Sequence, residues 1–589
     1  MTAFEFYTQE KQLQEQNLKA ANKQLQLSSM LRLLIFLILA CGVYYFFSTW
    51  KIVLLLIFIG IAIFLFLVSR HSNLKYKRDK VLELVKLNEL ELKILDRDFK
   101  SQPSGLEYMD PLHAYSQDID LFGKGSFFQY MNRSSLKEGE ARLAAMLTEN
   151  SIDKISKKQD AVKELSEKVK WRQEFSAVAK LVKTDTSSTS VIRWFKNYES
   201  FTPKFIPVLG WLVISISFLL IAAYYANYLN GWIVFGWFLA GWGFTGLYVK
   251  KINPLATNVG KVQETFHQYH QLLGMIEKTT FKSEKLKALQ KKIIIQDKKA
   301  SLILKDFSKA ISAMDQRNNA IFIALGNGFL LWDLRQAYRL EKWIKAHSQS
   351  VEGWFKVIEV IDAFNSLGNF SFNHADYVFP QINKGEHVIK AKNTAHPLLD
   401  PKKRVTNDFE IDNEQFFIIT GANMAGKSTF LRTVSLQIVM ANIGLPVCAS
   451  YCAYSPIKLI TSMRTTDSLT DDESYFFSEL KRLQFIVNAI KTDTYFIILD
   501  EILKGTNSTD KAIGSKKFIQ KLVKSRSTGI IATHDLSLCE VSQELSQVKN
   551  HYFDAEIIND QLYFDYKFKN GICQNMNASF LLKKMEIVD

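Results

Sequence analysis

Four apolar segments dominate the first half of the chain. They cover residues 33–49, 52–69, 205–224 and 232–249, and they contain no Asp, Glu, Lys or Arg. Each is close to the roughly 20 residues that cross a bilayer core as a helix. Because soluble core helices rarely stay uncharged for this length, the pattern predicts four transmembrane helices that form two hairpins, at 33–69 and 205–249.

Positive residues flank both hairpins on one side. Basic residues precede the first hairpin up to Arg32 and five more lie between 70 and 80, whereas its connecting turn holds only Lys51. The turn of the second hairpin, at 227–231, holds no charge. Since positive flanks stay in the cytoplasm, we expect a multi-pass protein of the inner or plasma membrane with both termini inside. A shorter apolar run, 320–332, suits a core or interfacial helix better than a fifth span.

The middle of the chain has a helical and strongly basic pattern. Apolar residues recur at helical spacing in 72–100 and 255–315, and the whole chain has only 10 prolines. The chain holds 74 Lys and Arg and 59 Asp and Glu, but residues 391–589 hold 23 of each, so the net charge of +15 lies in residues 1–390. The lysine-rich stretch 278–309 is either a solvated helix face or a contact surface for anionic lipid or nucleic-acid phosphate.

Residues 416–428 have the pattern of a phosphate-binding loop. An apolar run is followed by Gly421-Ala422-Asn423-Met424-Ala425-Gly426-Lys427-Ser428, which fits G-x-x-x-x-G-K-[ST]. An amphipathic helix is expected next, with Phe430, Leu431, Val434 and Ile438 on one side. We predict that these loop residues and Thr429 hold the phosphates of ATP, with Lys427 reaching the β and γ phosphates and Ser428 ligating Mg²⁺.

Two further apolar runs end in polar residues that suit the same site. Residues 495–499 lead to Asp500 and Glu501, and residues 529–533 lead to His534. Because ligands gather at the carboxyl ends of strands in α/β sheets, we expect these side chains beside the loop. Asp500 is the predicted second Mg²⁺ ligand. The predicted catalytic residues are Glu501 as the base for the attacking water, His534 as the γ-phosphate sensor, and Lys427.

These motifs resemble those of the MutS family, ABC-type ATPases of DNA mismatch repair. Residues 419–433, 499–510, 532–538 and 474–480 are similar to its phosphate loop, its Walker B and D-loop, its histidine switch and its signature helix. Weaker similarity to the family's helical lever covers 106–180 and 250–380. The resemblance implies a homodimer of ATPase domains in which Ser474 contacts the ATP bound by the other subunit, and it makes DNA a candidate partner.

The sequence departs from the family pattern at several points. No segment resembles the mismatch-reading domain, and the second hairpin falls within the lever, about where the DNA clamp of the family would arise. Ala422, Leu503 and Lys504 replace residues that are common in the family motifs. Near Arg404 and Val405 there is no clear counterpart of the aromatic residue that contacts adenine in the family.

The expected fold is an α/β ABC-type P-loop ATPase domain at the C-terminus, preceded by an all-α lever region that carries four transmembrane helices. A cytoplasmic amphipathic N-terminus at 1–32 includes Phe4-Glu5-Phe6, which we expect to approach the membrane. It is followed by the first hairpin at 33–69, the first lever part at 70–204, the second hairpin at 205–249, the second lever part at 250–385 and the ATPase domain at 386–589.

Three functions are compatible with these features. The first is a membrane-anchored MutS-like ATPase that binds and hydrolyses ATP with Mg²⁺, with its cycle coupled to DNA binding and mismatch repair or to a membrane-linked change in assembly. The second is half of an ATP-driven transporter, which would need charged residues inside the spans and a glycine-rich LSGGQ-type signature, and the sequence has neither. The third is an ATP-gated membrane scaffold with no DNA role.

Overall fold

The computed structural model describes residues 1–181, 187–295, 298–383, 385, 387–422, 424–464, 475–504, 506–558 and 561–574. The helices before residue 375 are α1 Ala3–Tyr45, α2 Trp50–Leu95, α3 Phe127–Met131, α4 Lys137–Thr148, α5 Ile155–Glu167, α6 Val169–Lys180, α7 Ser188–Lys196, α8 Ile206–Tyr225, α9 Gly231–Gly246, α10 Val249–Lys278, α11 Glu284–Lys291, α12 Ala300–Asp315, α13 Ala320–Leu330 and α14 Trp332–Asn373. A short hairpin of β1 Ile294–Ile295 and β2 Lys298–Lys299 separates α11 from α12.

The C-terminal region is a mixed α/β domain. Its elements are β3 Gln381–Ile382, β4 His387–Thr394, β5 Asn407–Asp412, β6 Phe416–Gly421, α15 Lys427–Ile443, β7 Tyr451–Tyr454, β8 Lys458–Ser462, α16 Tyr475–Ala489, β9 Tyr495–Asp500, α17 Ser508–Lys524, β10 Thr528–Ala532, α18 Val541–Glu544, β11 Val548–Phe553, β12 Glu556–Ile558, β13 Gln561–Tyr563 and β14 Lys569–Asn570. The expected combination of a helical region and a C-terminal α/β domain is therefore confirmed.

Three helices, α1, α2 and α8, are long and apolar enough to cross a membrane. Helix α9 is followed by α10 after a bend of 69°, and this bent pair would supply a fourth span. Only 6%, 11% and 22% of the most apolar windows of α1, α2 and α8 are buried by protein. Most of the apolar surface of these helices is therefore not covered by the described part of the protein.

Helix α13, which contains the short apolar run, packs beside the second hairpin. The indole Nε1 of Trp242 in α9 donates to the carbonyl of Ala324 at 2.9 Å. Ser217 of α8 accepts from Trp237 Nε1 and donates to the carbonyl of Phe329, both at 2.8 Å. These bonds satisfy polar groups inside an otherwise apolar bundle, where an unpaired polar group would be costly.

The first turns of α1 correct one expectation. Instead of approaching a membrane, Phe6 packs edge-on against Phe372 near the end of α14, with ring centres 5.4 Å apart. Tyr7 is fully buried, and its hydroxyl donates to Asn369 at 3.2 Å and to Asn373 at 2.8 Å. Helix α1 has 43 residues and is about 65 Å long. It therefore joins the end of α14 to the first apolar hairpin as one continuous element.

The 42-residue helix α14 organises the helical region, because buried carboxylates on it fix loops from other helices. Glu341 accepts the backbone N–H groups of Phe201 and Thr202, at 2.8 and 3.0 Å, just before α8 begins. Asp362 accepts the N–H groups of Ser135 and Leu136, each at 2.9 Å, at the start of α4. Both carboxylates replace the missing partners of backbone donors in loops.

The main C-terminal sheet has the strand order β14-β11-β6-β10-β9-β8. Strands β11, β6, β10, β9 and β8 run parallel, and β14 pairs antiparallel with β11. A second sheet has the order β3-β7-β4-β5. The apolar runs Phe416–Gly421 and Tyr495–Asp500 form strands that flank β10, as expected for buried parallel strands. Their carboxyl ends lie at one edge of the sheet.

Helix α15, which follows the glycine loop, is buried on nearly all sides, so the amphipathic helix that we expected is wrong. Thr433, Ser435, Gln437 and Asn442 are each at most 6% exposed. The sheet covers one face, and α4 and α5 of the helical region cover another. The polar side chains find internal partners: Asn442 Nδ2, for example, donates to the carbonyl of Ile457 at 2.9 Å.

The helical region and the α/β domain are joined through buried polar contacts. Asp118 is 6% exposed and accepts the backbone N–H groups of Met463 and Arg464, at 3.1 and 2.9 Å. The guanidinium of Arg482 in α16 donates to the carbonyls of Ala114 at 2.6 Å and Thr461 at 2.8 Å. A shift of α16 would therefore be transmitted to the loop that leads into α3.

Candidate active site

The loop between β6 and α15 requires glycine at two positions. Gly421 has φ +143°, and a Cβ atom there would lie 2.4 Å from the carbonyl oxygen of Phe553. Gly426 has φ +108° and precedes the first residue of α15. Residues with side chains rarely adopt such φ values. The two glycines therefore let the chain turn sharply from the strand into the helix, with the helix N-terminus facing the cavity of the site.

Lys427 lies folded over this loop. It is 6% exposed, and its Nζ atom donates to the carbonyls of Gly421 and Ala422, at 2.7 and 2.9 Å. Burial lowers the pKa of the Lys427 ammonium, and the nearby carboxylates of Asp500 and Glu501 oppose that shift. Within the described residues, the hydrogen-bond partners of this ammonium are two neutral carbonyls and a histidine nitrogen, so an anionic group can replace them.

The predicted metal ligands are adjacent. The Ser428 hydroxyl donates to Asp500 Oδ2 at 2.8 Å, although the two residues are 72 positions apart. Burial raises the pKa of the Asp500 carboxyl, and the bond from Ser428 opposes that shift. A carboxylate and a hydroxyl are hard oxygen donors of the kind that Mg²⁺ prefers when it is also bound to phosphate. This donor pair therefore fits Mg²⁺ with a nucleotide.

Glu501 and His534 form a second pair at the same edge. Nε2 of His534 lies 3.0 Å from Glu501 Oε1 and 3.3 Å from Lys427 Nζ. The hydrogen bond from His534 is the main cause that lowers the pKa of Glu501 to about 2, with a further contribution from Lys504. The Glu501 backbone has φ +50°, which is uncommon for a residue other than glycine. Glu501 is thus held ionised beside the cavity.

These residues line one cavity of about 780 Å³. Of the predicted site, the lining includes Ala422, Met424, Gly426, Lys427, Ser428, Thr429, Asp500, Glu501 and His534. Ala425 is buried beneath the loop. Asn423 and Ser474 lie outside the described residues, so their predicted roles stay predictions. A cavity of this size is in the range of small-molecule and cofactor sites.

Sequence reasoning did not single out two residues of the site. Tyr566, which follows β13, lines the cavity and faces the turn at Gly426, where a Cβ atom would lie 3.2 Å from its ring. The available signal was its place in the aromatic-rich segment 563–568. Glu479 of α16 is 3% exposed and accepts the N–H of Lys504 at 3.0 Å. A lone glutamate on the apolar face of α16 was the available signal.

The fold and the clustered side chains define a mixed α/β domain with a glycine loop between a parallel strand and a buried helix. A family model described as MutS domain V matches residues 417–585. The DNA mismatch repair protein MutS of Methanococcoides burtonii is 31% identical over 237 residues, which is 39% of this chain and 26% of that protein.

Two further relatives match to a similar extent. The DNA mismatch repair protein MutS of Staphylococcus saprophyticus is 31% identical over 242 residues, 40% of this chain and 27% of that protein. The MutS protein homolog 4 of Homo sapiens is 29% identical over 249 residues, 40% of this chain and 26% of that protein. The C-terminal α/β region is therefore similar to MutS domain V, and the chain spans about a quarter of the length of these curated relatives.

Proposed function

We propose that the protein is a membrane-anchored MutS-like ATPase that binds ATP with Mg²⁺ at this sheet edge and hydrolyses it. The observation that carries the proposal is that five side chains at or just after the carboxyl ends of three different strands, β6, β9 and β10, line one cavity. They are Lys427, Ser428, Asp500, Glu501 and His534. Lys427 binds the β and γ phosphates in place of the two loop carbonyls. Ser428 and Asp500 hold Mg²⁺, which neutralises charge on the phosphates.

Glu501 accepts the proton of the attacking water. Its low pKa keeps it ionised at neutral pH, which is the state that a base requires. His534 holds the Glu501 carboxylate in place, and its contact with Lys427 gives it access to the terminal phosphate position. Tyr566 and Val405 line the part of the cavity that is left for the adenosine moiety.

The anchoring part of the proposal rests on the four apolar segments. Helices α1, α2 and α8 and the bent pair of α9 and α10 cross the membrane as two hairpins, with the α/β domain and both termini in the cytoplasm. Two such α/β domains pair around ATP, with Ser474 completing the site of the other subunit. Extraction of membranes with alkaline carbonate tests the anchoring: the protein stays in the pellet, and its release into the supernatant would contradict it.

Replacement of Glu501 by glutamine tests the ATPase activity. In full-length protein in nanodiscs, we expect Glu501→Gln to lower the rate of Mg-dependent ATP hydrolysis by about 100-fold or more, because general base catalysis contributes 10²–10⁴-fold. ATP binding is retained. The exposed Glu556 of β12 supplies the matched control Glu556→Gln, which keeps the full rate. Equal rates for Glu501→Gln and the wild type would sink the assignment.

DNA binding coupled to this ATPase is a second part of the proposal. The net charge of +15 and the DNA repair names of the relatives favour it. Duplexes with and without one mismatch are titrated at several salt concentrations. Contact with phosphate predicts affinity that falls steeply with salt, and mismatch recognition predicts tighter binding of the mismatched duplex. Weak, equal and salt-independent binding of both duplexes would exclude a role on DNA.

A further inference from the structure

A second cavity, of about 370 Å³, lies in the helical region, where α4, α11 and α14 meet the far end of α15. Its walls carry the cations Arg142, Lys158, Lys285, Lys292 and Lys356 and a single acidic residue, Glu149. Two of the lysines, Lys285 and Lys292, come from the lysine-rich stretch 278–309. Part of that stretch therefore lines a cavity.

The cations of this basic cavity have little compensation from protein groups. Arg142 lies 3.6 Å from Glu149, and its buried Nε atom has no hydrogen-bond partner. Lys158 donates only to backbone carbonyls, among them that of Asn442 at 2.9 Å. Within the described residues, the side chains of Lys292 and Lys356 form no hydrogen bond and no ion pair. Arg142, Lys158 and Lys285 are half-buried, and Lys292 and Lys356 are exposed at the cavity. Five cations around one cavity with a single acidic residue create a positive potential that attracts an anion.

The pKa values of two of these lysines are lowered, as expected for positive groups that lie close together in a partly enclosed cavity. Burial is the main cause that lowers the pKa of the Lys158 ammonium, and the nearby charge of Lys285 lowers it further. The pKa of Lys285 is lowered in the same way by burial and then by Arg142. Like charges are thus held together at a cost, which a bound polyanion would remove.

Apart from Ser151 and Gly353, the rest of the wall is apolar. It consists of Met146, Leu289, Val357, Val360, Phe364 and Ile443. The Lys285 ammonium lies 5.3 Å from the ring centre of Phe364, so charged and apolar surfaces adjoin. A ligand with a phosphorylated end and an apolar or aromatic part would satisfy both surfaces, as in other small-molecule sites.

The position of the cavity excludes lipid headgroups as the source of the phosphate. The Arg335 guanidinium of α14 lies 5.3 Å from the ring of Trp211, at the first turns of α8. Gly353, the first cavity residue on α14, is about 27 Å further along the helix at 1.5 Å per residue. The headgroup layer extends only about 5–8 Å beyond the hydrocarbon core. A nucleic-acid duplex is too wide to enter a cavity of 370 Å³.

We propose that this cavity binds a small soluble molecule that carries two or more phosphate groups. The site is separate from the one at Lys427, because α15 extends about 24 Å from Lys427 to Ile443. It is nevertheless connected to that site, since Lys158 bonds the carbonyl of Asn442 in the last turn of α15. The proposal goes beyond the proposed ATPase activity and does not depend on it, whereas the exclusion of lipid headgroups rests on the proposed membrane anchoring.

Calorimetric titration with pyrophosphate tests the proposal. Full-length Lys427→Ala protein in detergent is used as the parent, because it lacks the phosphate contact of the first site. We expect the parent to bind one pyrophosphate per chain. In the double variant Lys285→Met with Lys292→Met, the affinity should fall by roughly tenfold or more, since two charge-assisted contacts are lost. The matched control is Lys287→Met with Lys291→Met, exposed positions on the same helix α11, which leaves the affinity unchanged.

Four outcomes of the titration in detergent would overturn the proposal. They are no binding by the parent, equal binding by the cavity variant and the parent, equal loss in the control variant, and orthophosphate binding as tightly as pyrophosphate. Repeating the titration in nanodiscs distinguishes the sources. Binding that is the same with neutral and anionic lipid supports a soluble ligand, whereas binding that requires anionic lipid contradicts it. The proposal is also contradicted if the parent binds no pyrophosphate and the cavity variant loses binding of duplex DNA, since the cations would then contact nucleic acid.

Discussion

Two carboxylates of the helical region, Glu341 and Asp362, have surroundings opposite to those of Asp500 and Glu501 in the α/β domain. Glu341 and Asp362 of α14 accept backbone N–H groups and face protein on all sides, with 3% and 0% of their surface exposed. Asp500 and Glu501 instead bond to the side chains of Ser428 and His534 and face a cavity. A carboxylate whose partners are backbone donors holds loops in place. A carboxylate at a cavity whose partners are side chains is available to bind a ligand.

This difference predicts that the carboxylates of the helical region contribute to the stability of the fold, whereas those at the cavity contribute to ligand binding and catalysis. Removing a carboxylate from the helical region should leave backbone donors without partners and weaken the fold. Removing the Asp500 carboxylate from the edge of the α/β sheet should relieve a burial penalty and affect only ligand binding and turnover. The three substitutions below test this contrast, in order of decreasing expected effect.

Asp500→Asn has the largest expected effect. Mg-dependent ATP turnover falls by about 100-fold or more, as for the loss of other preorganised electrostatic groups. The thermal unfolding midpoint stays the same or rises, because burial raises the pKa of the Asp500 carboxyl and the amide carries no charge. The control is Asp493→Asn, at the opposite end of β9, where the side chain is 41% exposed. Retained turnover in Asp500→Asn would contradict the comparison.

Glu341→Ala should lower the free energy of unfolding by about 2–4 kcal/mol, because several donors lose their acceptor at about 1–3 kcal/mol for each unsatisfied group. These donors are the N–H groups of Phe201 and Thr202 and the Tyr198 hydroxyl. Urea unfolding followed by tryptophan fluorescence measures the change. Glu352→Ala removes an exposed glutamate from the same helix and should have a much smaller effect. Equal effects would show that Glu341 does not fix the loop before α8.

The smallest expected effect is a change in pH dependence in Asp362→Asn. Burial raises the pKa of Asp362 from 3.8 to about 7, although N–H groups of Leu136 and Ser135 oppose the shift. Between these two pH values the folded state keeps a proton that the unfolded state releases, so stability falls as pH rises through this window. In Asp362→Asn, this decrease of the free energy of unfolding with rising pH should be absent. Parallel stability profiles of the variant and the wild type from pH 4 to pH 8 would contradict this.

The sequence predicts the site well because its parts are local and periodic. Each of the three apolar runs forms a strand, and parallel strands bring their carboxyl ends to one edge, so Lys427 and His534 meet across 107 positions. The apolar helices are predicted equally well, because a long uncharged run is compatible with few structures other than a helix. In both cases the signal lies within about 20 consecutive residues.

Features that depend on distant partners were not predictable. The polar face of α15 is covered by α4 and α5, more than 250 positions earlier in the chain. Tyr7 is buried by Asn369 and Asn373, and nothing in the first ten residues indicates those partners. Lys285 and Lys292 look like Lys287 and Lys291 in the sequence. Only the packing of α11 against α5 shows which of them line the basic cavity.

Equilibrium binding of ATP is the most direct test of the central claim, that Lys427 and its neighbours form a nucleotide site. Full-length protein in nanodiscs is titrated with a fluorescent ATP analogue in the presence of Mg²⁺, beside the Lys427→Ala variant. The wild type should bind the nucleotide with an affinity at least about tenfold higher than that of the variant, because a charged hydrogen bond contributes about 1.5–3 kcal/mol. Equal affinities, or no binding by the wild type, would contradict the account.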